Sequence, residues 1–325
     1  MAHSVLSQLV AALATEQVRV IDLTQTLSPE FPTIALPPEL GQCWPFRLEE
    51  ISRYDERGSA SYWNNFSCGE HTGTHFDAPI HWISGRDLPN NSVDTIPAQH
   101  FMAPACVIDC SAQSAADPDY LMTVADIEAF EAAHGRIPAG AWVLMRTDWS
   151  AHWAKARDGE AYQNFDETGQ HTPGPSSEAV QFLVQQRDVL GFGSEAIGTD
   201  AGQGYHLRPP YPCHSLMHGA GKYGLQCLTN LDQLPPTGAL VVDWPGVVEA
   251  AIVGKQRRNG GPKNHDKSKE LAPTTCAPAG NMQGGPLKET GFIQYQADDN
   301  DRYKSSCCIP DYAPDHGQIA PLHHT

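Results

Sequence analysis

Apolar positions along the chain fall into short β-branched runs separated by polar turns and by helical periods. VRVIDLT (18–24) reads as a strand. FRLEEIS (46–52) and YWNNFSC (62–68) read as two more, and ACVIDC (105–110) and AWVLMRTDW (141–149) as short buried ones. A helix is predicted between the last two, where Thr123 can cap, Asp126 answers it at the third helical position and Gly135 stops the run. SSEAVQFLVQQR (176–187) carries apolar residues at 179, 180, 182, 183 and 184 and predicts a mostly buried helix. VLGFGSEAIGTD (189–200) reads as strand and loop, and GALVV (238–242) as one more strand. The Pro-rich loops LPPELGQ, DETGQHTPGP and LRPPYP are stiff connections. Alternating strands and helices predict an α/β fold.

Texture changes near residue 255. Residues 1–254 carry 12 basic and 30 acidic side chains, and residues 255–325 carry 9 and 8. The later segment is rich in Gly, Pro, Lys and Asn and has almost no apolar periodicity. It cannot bury enough apolar surface to offset ordering entropy. The expected organisation is one domain over 1–254 and a disordered tail over 255–325. His323, His324, Cys307 and Cys308 in that tail lack metal-ligand spacing.

The net charge of −17 repels nucleic-acid phosphates and anionic lipid headgroups, so neither nucleic acid nor membrane is an expected partner. No run approaches the roughly 18 apolar residues of a spanning helix. MAHSVLSQLVAALATEQ (1–17) lacks a basic start and a long apolar core, and reads as a short amphipathic helix rather than a signal peptide. Nine cysteines, an odd number without a C-x-x-C pair, suggest reduced thiols in a cytoplasmic protein.

The candidate chemistry is concentrated in HTGTHFDAPIH (71–81). On a helix, His71, His75, Asp77 and His81 would stand at about 0°, 40°, 240° and 280°, sharing no face. On a strand the even offsets put all four on one face, but an unbroken strand would spread them over about 33 Å. The backbone must therefore fold back. Gly73 permits a tight bend between the first two histidines, and Pro79 fixes φ before His81. His71, His75 and Asp77 can then converge on one divalent cation with positions left open for water and substrate. His81, past the proline, suits a general base.

This segment resembles the H-x-G-T-H-x-D-x-P-x-H signature of the metal-dependent cyclase family, which includes bacterial kynurenine formamidases and isatin hydrolases. VIDLTQTLSP (20–29) is similar to the family's opening strand, and LTNLDQLPPTGALVV (228–242) to its closing stretch. GTDAGQ (198–203) and PPYPCHSLMH (209–218) resemble the isatin-hydrolase branch. The resemblance implies a swivelling β/β/α domain, with mixed sheets and flanking helices, assembled as a homodimer or higher homo-oligomer. It also implies His71, His75 and Asp77 as metal ligands and His81 as base. Where two-zinc members carry a later His and, twelve residues on, a Glu, this chain has His214 and Gln226. A neutral carboxamide bridges two cations poorly, so one metal is expected, with Mn²⁺ favoured by the resemblance and Zn²⁺ the alternative.

The implied reaction is hydrolysis of a C–N amide bond in a small aromatic substrate, opening a cyclic amide such as isatin to isatinate. The alternatives are an arylformamidase releasing formate from N-formylkynurenine, and a catalytically impaired metal-binding relative. Trp63, Phe66 and Trp82 flank the metal segment and could sandwich a flat ring. Asp200 and Gln203 lie in a Gly-bounded loop that could touch substrate. His218 is expected to cap or pack, Cys227 to pack, and Arg146 to form a structural ion pair. The family's closing strand has no clear match after Val242.

Overall fold

The computed structural model describes residues 4–36 and 41–243, together with the backbone of 253–255. The predicted tail beyond residue 255 lies outside the described residues. Among the described residues, nine of thirteen strands carry the architecture. β1 (Arg47–Asp55) and β2 (Gly58–Ser67) form an antiparallel hairpin of their own. The other seven are β3 (His75–Asp77), β4 (Met102–Asp109), β5 (Trp142–Arg146), β6 (Gly191–Ser194), β7 (Tyr223–Gln226), β8 (Ala239–Val242) and β9 (Val253–Lys255). They make one mixed sheet in the order β8-β4-β5-β6-β7-β3-β9. The central four run parallel, and β8, β3 and β9 pair antiparallel at the flanks.

Strands of a parallel core are buried on both faces and read as continuous apolar runs. In β5, Trp142, Val143, Leu144 and Met145 are all fully buried. Alternation sends Val143 and Met145 to one face, where they meet Cys106, Ile108 and Phe192. That face is covered by Ile127 and Phe130 of α2 (Val124–His134) and by Ala179 and Val180 of α3 (Ser177–Phe182). Trp142 and Leu144 enter a second cluster with Phe76, Tyr223 and Leu225. The expected α/β layering of a mixed sheet with flanking helices is thus present.

The predicted cap of α2 is formed. The Thr123 hydroxyl accepts from Asp126 N–H, and the Asp126 carboxylate accepts from Thr123 N–H at 2.7 Å. Gly135 ends the helix at φ +91°. Thr123→Ala is expected to cost about 1 kcal/mol, readable in urea unfolding as a lower midpoint at unchanged slope.

Three expectations need correction. VRVIDLT is not a strand. The Asp22 carboxylate accepts from its own neighbour Thr24 N–H at 2.9 Å, which competes with ladder formation, and Val20 points to solvent. The segment instead lies as extended coil, tied by Thr229 N–H to Leu23 carbonyl (3.0 Å) and by the Asn230 amide to Asp22 carbonyl (2.7 Å). The strand predicted over 141–149 stops at Arg146, because the Glu195 carboxylate takes the Thr147 and Asp148 N–H groups at 2.7 and 2.6 Å. After Val242, where the sequence offered no clear closing strand, β9 adds a short strand whose backbone pairs with β3.

The N-terminal helix α1 (Val5–Ala14) forms as expected, with none of its residues buried. No helix among the described residues is long and apolar enough to cross a membrane. The six described cysteines are free thiols.

Candidate active site

Three residues of β3 set the geometry. Phe76 points into the core, where its ring meets Phe101, Trp142 and Tyr223 at centroid distances of 5.3, 6.2 and 5.1 Å. Strand alternation then obliges His75 and Asp77 to share the opposite face. Upstream, Gly73 adopts φ +77°, the left-handed bend that the sequence anticipates, and His71 is turned back over the strand. The Thr74 hydroxyl anchors this bend by donating to the Cys227 carbonyl at 2.6 Å. Downstream, Pro79 opens a single tight turn, Pro79–His81, which returns His81 to the same space.

Three electron-pair donors converge there. His71 Nδ1 lies 3.3 Å from His75 Nε2 and 3.4 Å from Asp77 Oδ1, and the last two atoms are 3.5 Å apart. Atoms bound about 2.1 Å from a common cation stand about 3.0 Å apart in octahedral and about 3.4 Å apart in tetrahedral geometry. The triangle therefore fits one divalent cation. Orientation supports the fit. His75 Nδ1 donates to the Gly73 carbonyl at 2.6 Å, which directs Nε2 at the triangle. Asp77 Oδ1 is buried without a hydrogen-bond donor, while Oδ2 accepts from the Gln226 amide.

Burial opposes ionisation of Asp77, yet His75, His81 and His71 outweigh it and hold the carboxyl well below its usual range. His81 lies against His71, with ring centroids 4.2 Å apart and the planes tilted by 43°. Burial, with His71, His214 and His218 nearby and only Asp77 opposing, pushes the His81 pKa down to about 3. At neutral pH this ring is uncharged and carries a lone pair.

Gln226 arrives from β7, directly opposite His75 in the register, and Gly224 lies opposite Asp77. A side chain at 224 would press on Asp77, since its Cβ would sit 3.3 Å from that of Asp77. His214 comes from a helical segment, Cys213–Met217, whose bonding is π-type. Its Nδ1 donates to Asp200 Oδ2 at 2.6 Å, and Asp200 Oδ1 accepts from Cys213 N–H at 2.7 Å. Burial would lower His214, but Asp200, with Asp77 beyond, raises it above the ordinary histidine value. Asp200 thus serves His214 and the start of its helical segment.

His218, expected to cap or pack, is instead part of the cluster. One ligand-type atom from each of Asp77, His214 and His218 lies within 4.8 Å of the others. Burial first, then His214, lowers its pKa to about 4. The i, i+4 spacing of the two histidines was the sequence signal for this, because helical neighbours four apart share a face. The Asp200–His214 pair had no such signal.

The expected aromatic sandwich does not form within one chain. Trp82 does join the cluster, with its ring 4.8 Å from His214 and 5.9 Å from Tyr211. Trp63 and Phe66 lie on the separate β1–β2 hairpin, 58% and 67% exposed. Their odd offset places them on opposite strand faces, so they could not line one wall together. Gln203 donates to the Gln170 carbonyl at 2.9 Å. Cys227 packs with Trp149 and Tyr162, and Arg146 pairs with Asp109 and Asp148, as expected.

The family model described as putative cyclase matches residues 21–201. Isatin hydrolase of Roseibium aggregatum is 47% identical over 249 residues, covering 76% of this chain and 93% of that protein. The structure of isatin hydrolase A from Ralstonia solanacearum superposes with a TM-score of 0.77 at 57% identity, over 79% of this chain and 97% of its own. An isatin hydrolase bound to the product analogue thioisatinate gives 0.76 at 45% identity, with the same coverage. From the match over residues 21–201 and the likeness of sheet, helices and length to these enzymes, the chain belongs to the cyclase family.

Proposed function

We propose that this protein is a metal-dependent hydrolase that opens a cyclic amide, of the isatin-to-isatinate type. The observation that carries the reading is the triangle of His71 Nδ1, His75 Nε2 and Asp77 Oδ1, with edges of 3.3–3.5 Å and the uncharged His81 beside it. These three residues would hold one divalent cation, Mn²⁺ in preference to Zn²⁺. A second cation is disfavoured because the neutral Gln226 already donates to Asp77 Oδ2. When bound, the cation supplies polarisation of the amide carbonyl and acidification of water.

The remaining chemistry belongs to the side chains. A ring nitrogen of His81 accepts the proton of the attacking water as oxygen bonds to the amide carbon. The same proton is then delivered to the ring nitrogen of the substrate as the C–N bond breaks, leaving an arylamine and a carboxylic acid in one molecule, and the acid ionises by releasing the second proton of the water to solvent. Trp82 offers an aromatic face beside His214 for a flat bicycle. The test is purified chain supplied with Mn²⁺ or Zn²⁺, with metal content measured. One metal per chain and loss of the visible absorbance of isatin are expected. Formate release from N-formylkynurenine with isatin untouched would favour the arylformamidase instead, and inertness toward both would favour an impaired relative.

The reading includes a homodimer in a reducing, cytoplasmic setting. Leu48 and Phe66, directly opposite one another in the register, leave one face of the β1–β2 hairpin with exposed apolar side chains, which a second copy would cover. Light scattering is expected to give twice the 35.4 kDa chain mass. Leu48→Glu with Phe66→Glu should shift the mass toward one chain; an unchanged mass would place the interface elsewhere.

A further inference from the structure

His218 has no task in the reaction described above, yet it is built into the same space. It is 1% exposed. Its Nδ1 lies 3.0 Å from the Lys222 carbonyl oxygen. A carbonyl only accepts, so Nδ1 carries the proton and Nε2 presents a lone pair. That Nε2 is buried and has no hydrogen-bond partner among the described residues. A buried acceptor without a donor is costly, and the cost is removed only when a donor arrives.

The ring positions narrow the source of that donor. His81 adjoins His71 at 4.2 Å, which leaves His81 to serve the attacking water. His218 stands one step further, 6.2 Å from His81 and 5.3 Å from His214. A cyclic amide brings one strong donor of its own, the N–H bonded to the carbonyl under attack. We infer that His218 Nε2 accepts this N–H and makes the site selective for cyclic amides unsubstituted on nitrogen. The inference rests on the hydrolase reading and goes beyond it by naming a substrate feature and the residue that recognises it.

The experiment compares isatin with N-methylisatin on the metal-loaded full chain and on His218→Leu and His218→Gln. In wild type, kcat/KM should favour isatin by about tenfold or more. In His218→Leu the preference should fall toward that of the uncatalysed reactions, through a raised KM for isatin with little change for N-methylisatin. His218→Gln retains an acceptor oxygen and should keep part of the preference; it also carries the comparison if the leucine variant does not fold. Comparing the residue change with the substrate change cancels methyl bulk and intrinsic reactivity to first order. Competition by isatinate and N-methylisatinate should show the same pattern in inhibition constants.

An unchanged preference in both variants would overturn the inference. So would metal content falling in proportion to activity in His218→Gln, since His218 would then be a ligand. A wild type inert toward isatin removes the hydrolase reading and the inference together. An active wild type with an unchanged ratio in the variants removes the inference alone.

Discussion

Asp77→Ala should leave the purified chain without stoichiometric metal and without measurable hydrolysis. The carboxylate is fully buried, and its Oδ1 is the one anionic corner of the triangle. Changing residues that merely orient a ligand typically lowers metal affinity or activity by about 10–100-fold, so removal of the ligand itself should exceed that range. A second effect accompanies the first. The Gln226 amide loses its acceptor, and a buried donor left unmatched costs about 1–3 kcal/mol. Asp77→Asn separates the two effects, because it preserves volume while deleting the charge. It should fold as wild type by circular dichroism yet retain little metal by elemental analysis. Full metal occupancy in Asp77→Asn would show that the triangle is not the binding site.

His81→Ala should lower kcat by roughly 10²–10⁴-fold, the range for loss of a positioned general base. Metal content should stay at the wild-type level. The expectation follows from two observations. The ring lies against His71, and burial among other histidines keeps it uncharged at neutral pH, with its pKa at about 3. Such a ring is unprotonated throughout the neutral range, the state from which a general base acts. The distances also admit a competing role, since ligand-type atoms of His71, Asp77 and His81 lie within 4.8 Å of one another. Metal and activity are therefore measured on the same preparation. Parallel loss of both would make His81 a ligand rather than a base.

Local chemistry made much of this protein legible before any fold was known. The α2 cap needs only Thr123, Asp126 and Gly135, all within one helix and its ends. The even offset of His75 and Asp77 and the bend at Gly73 likewise belong to a few adjacent residues, and the structure shows both. The buried runs of β4 and β5 were readable because a strand covered on both faces must be apolar throughout.

Other features depended on partners far away in the chain. VRVIDLT has strand composition, yet Thr229 and Asn230 took its carbonyl groups and no ladder formed. Trp63 and Phe66 adjoin the metal segment in sequence but stand on a separate hairpin. Gln226 meets Asp77 across 149 residues because β7 pairs with β3 in one particular register.

The sequence alone determined the donor groups, their common face and the bend that lets them converge, because rotation about neighbouring bonds decides these. Only the tertiary structure decided what surrounds them: the Gln226 amide on Asp77, Asp200 on His214, and the open lone pair of His218. Hydrogen-bond partners between distant segments are chosen by packing and strand register, and no local pattern in the chain encodes that choice.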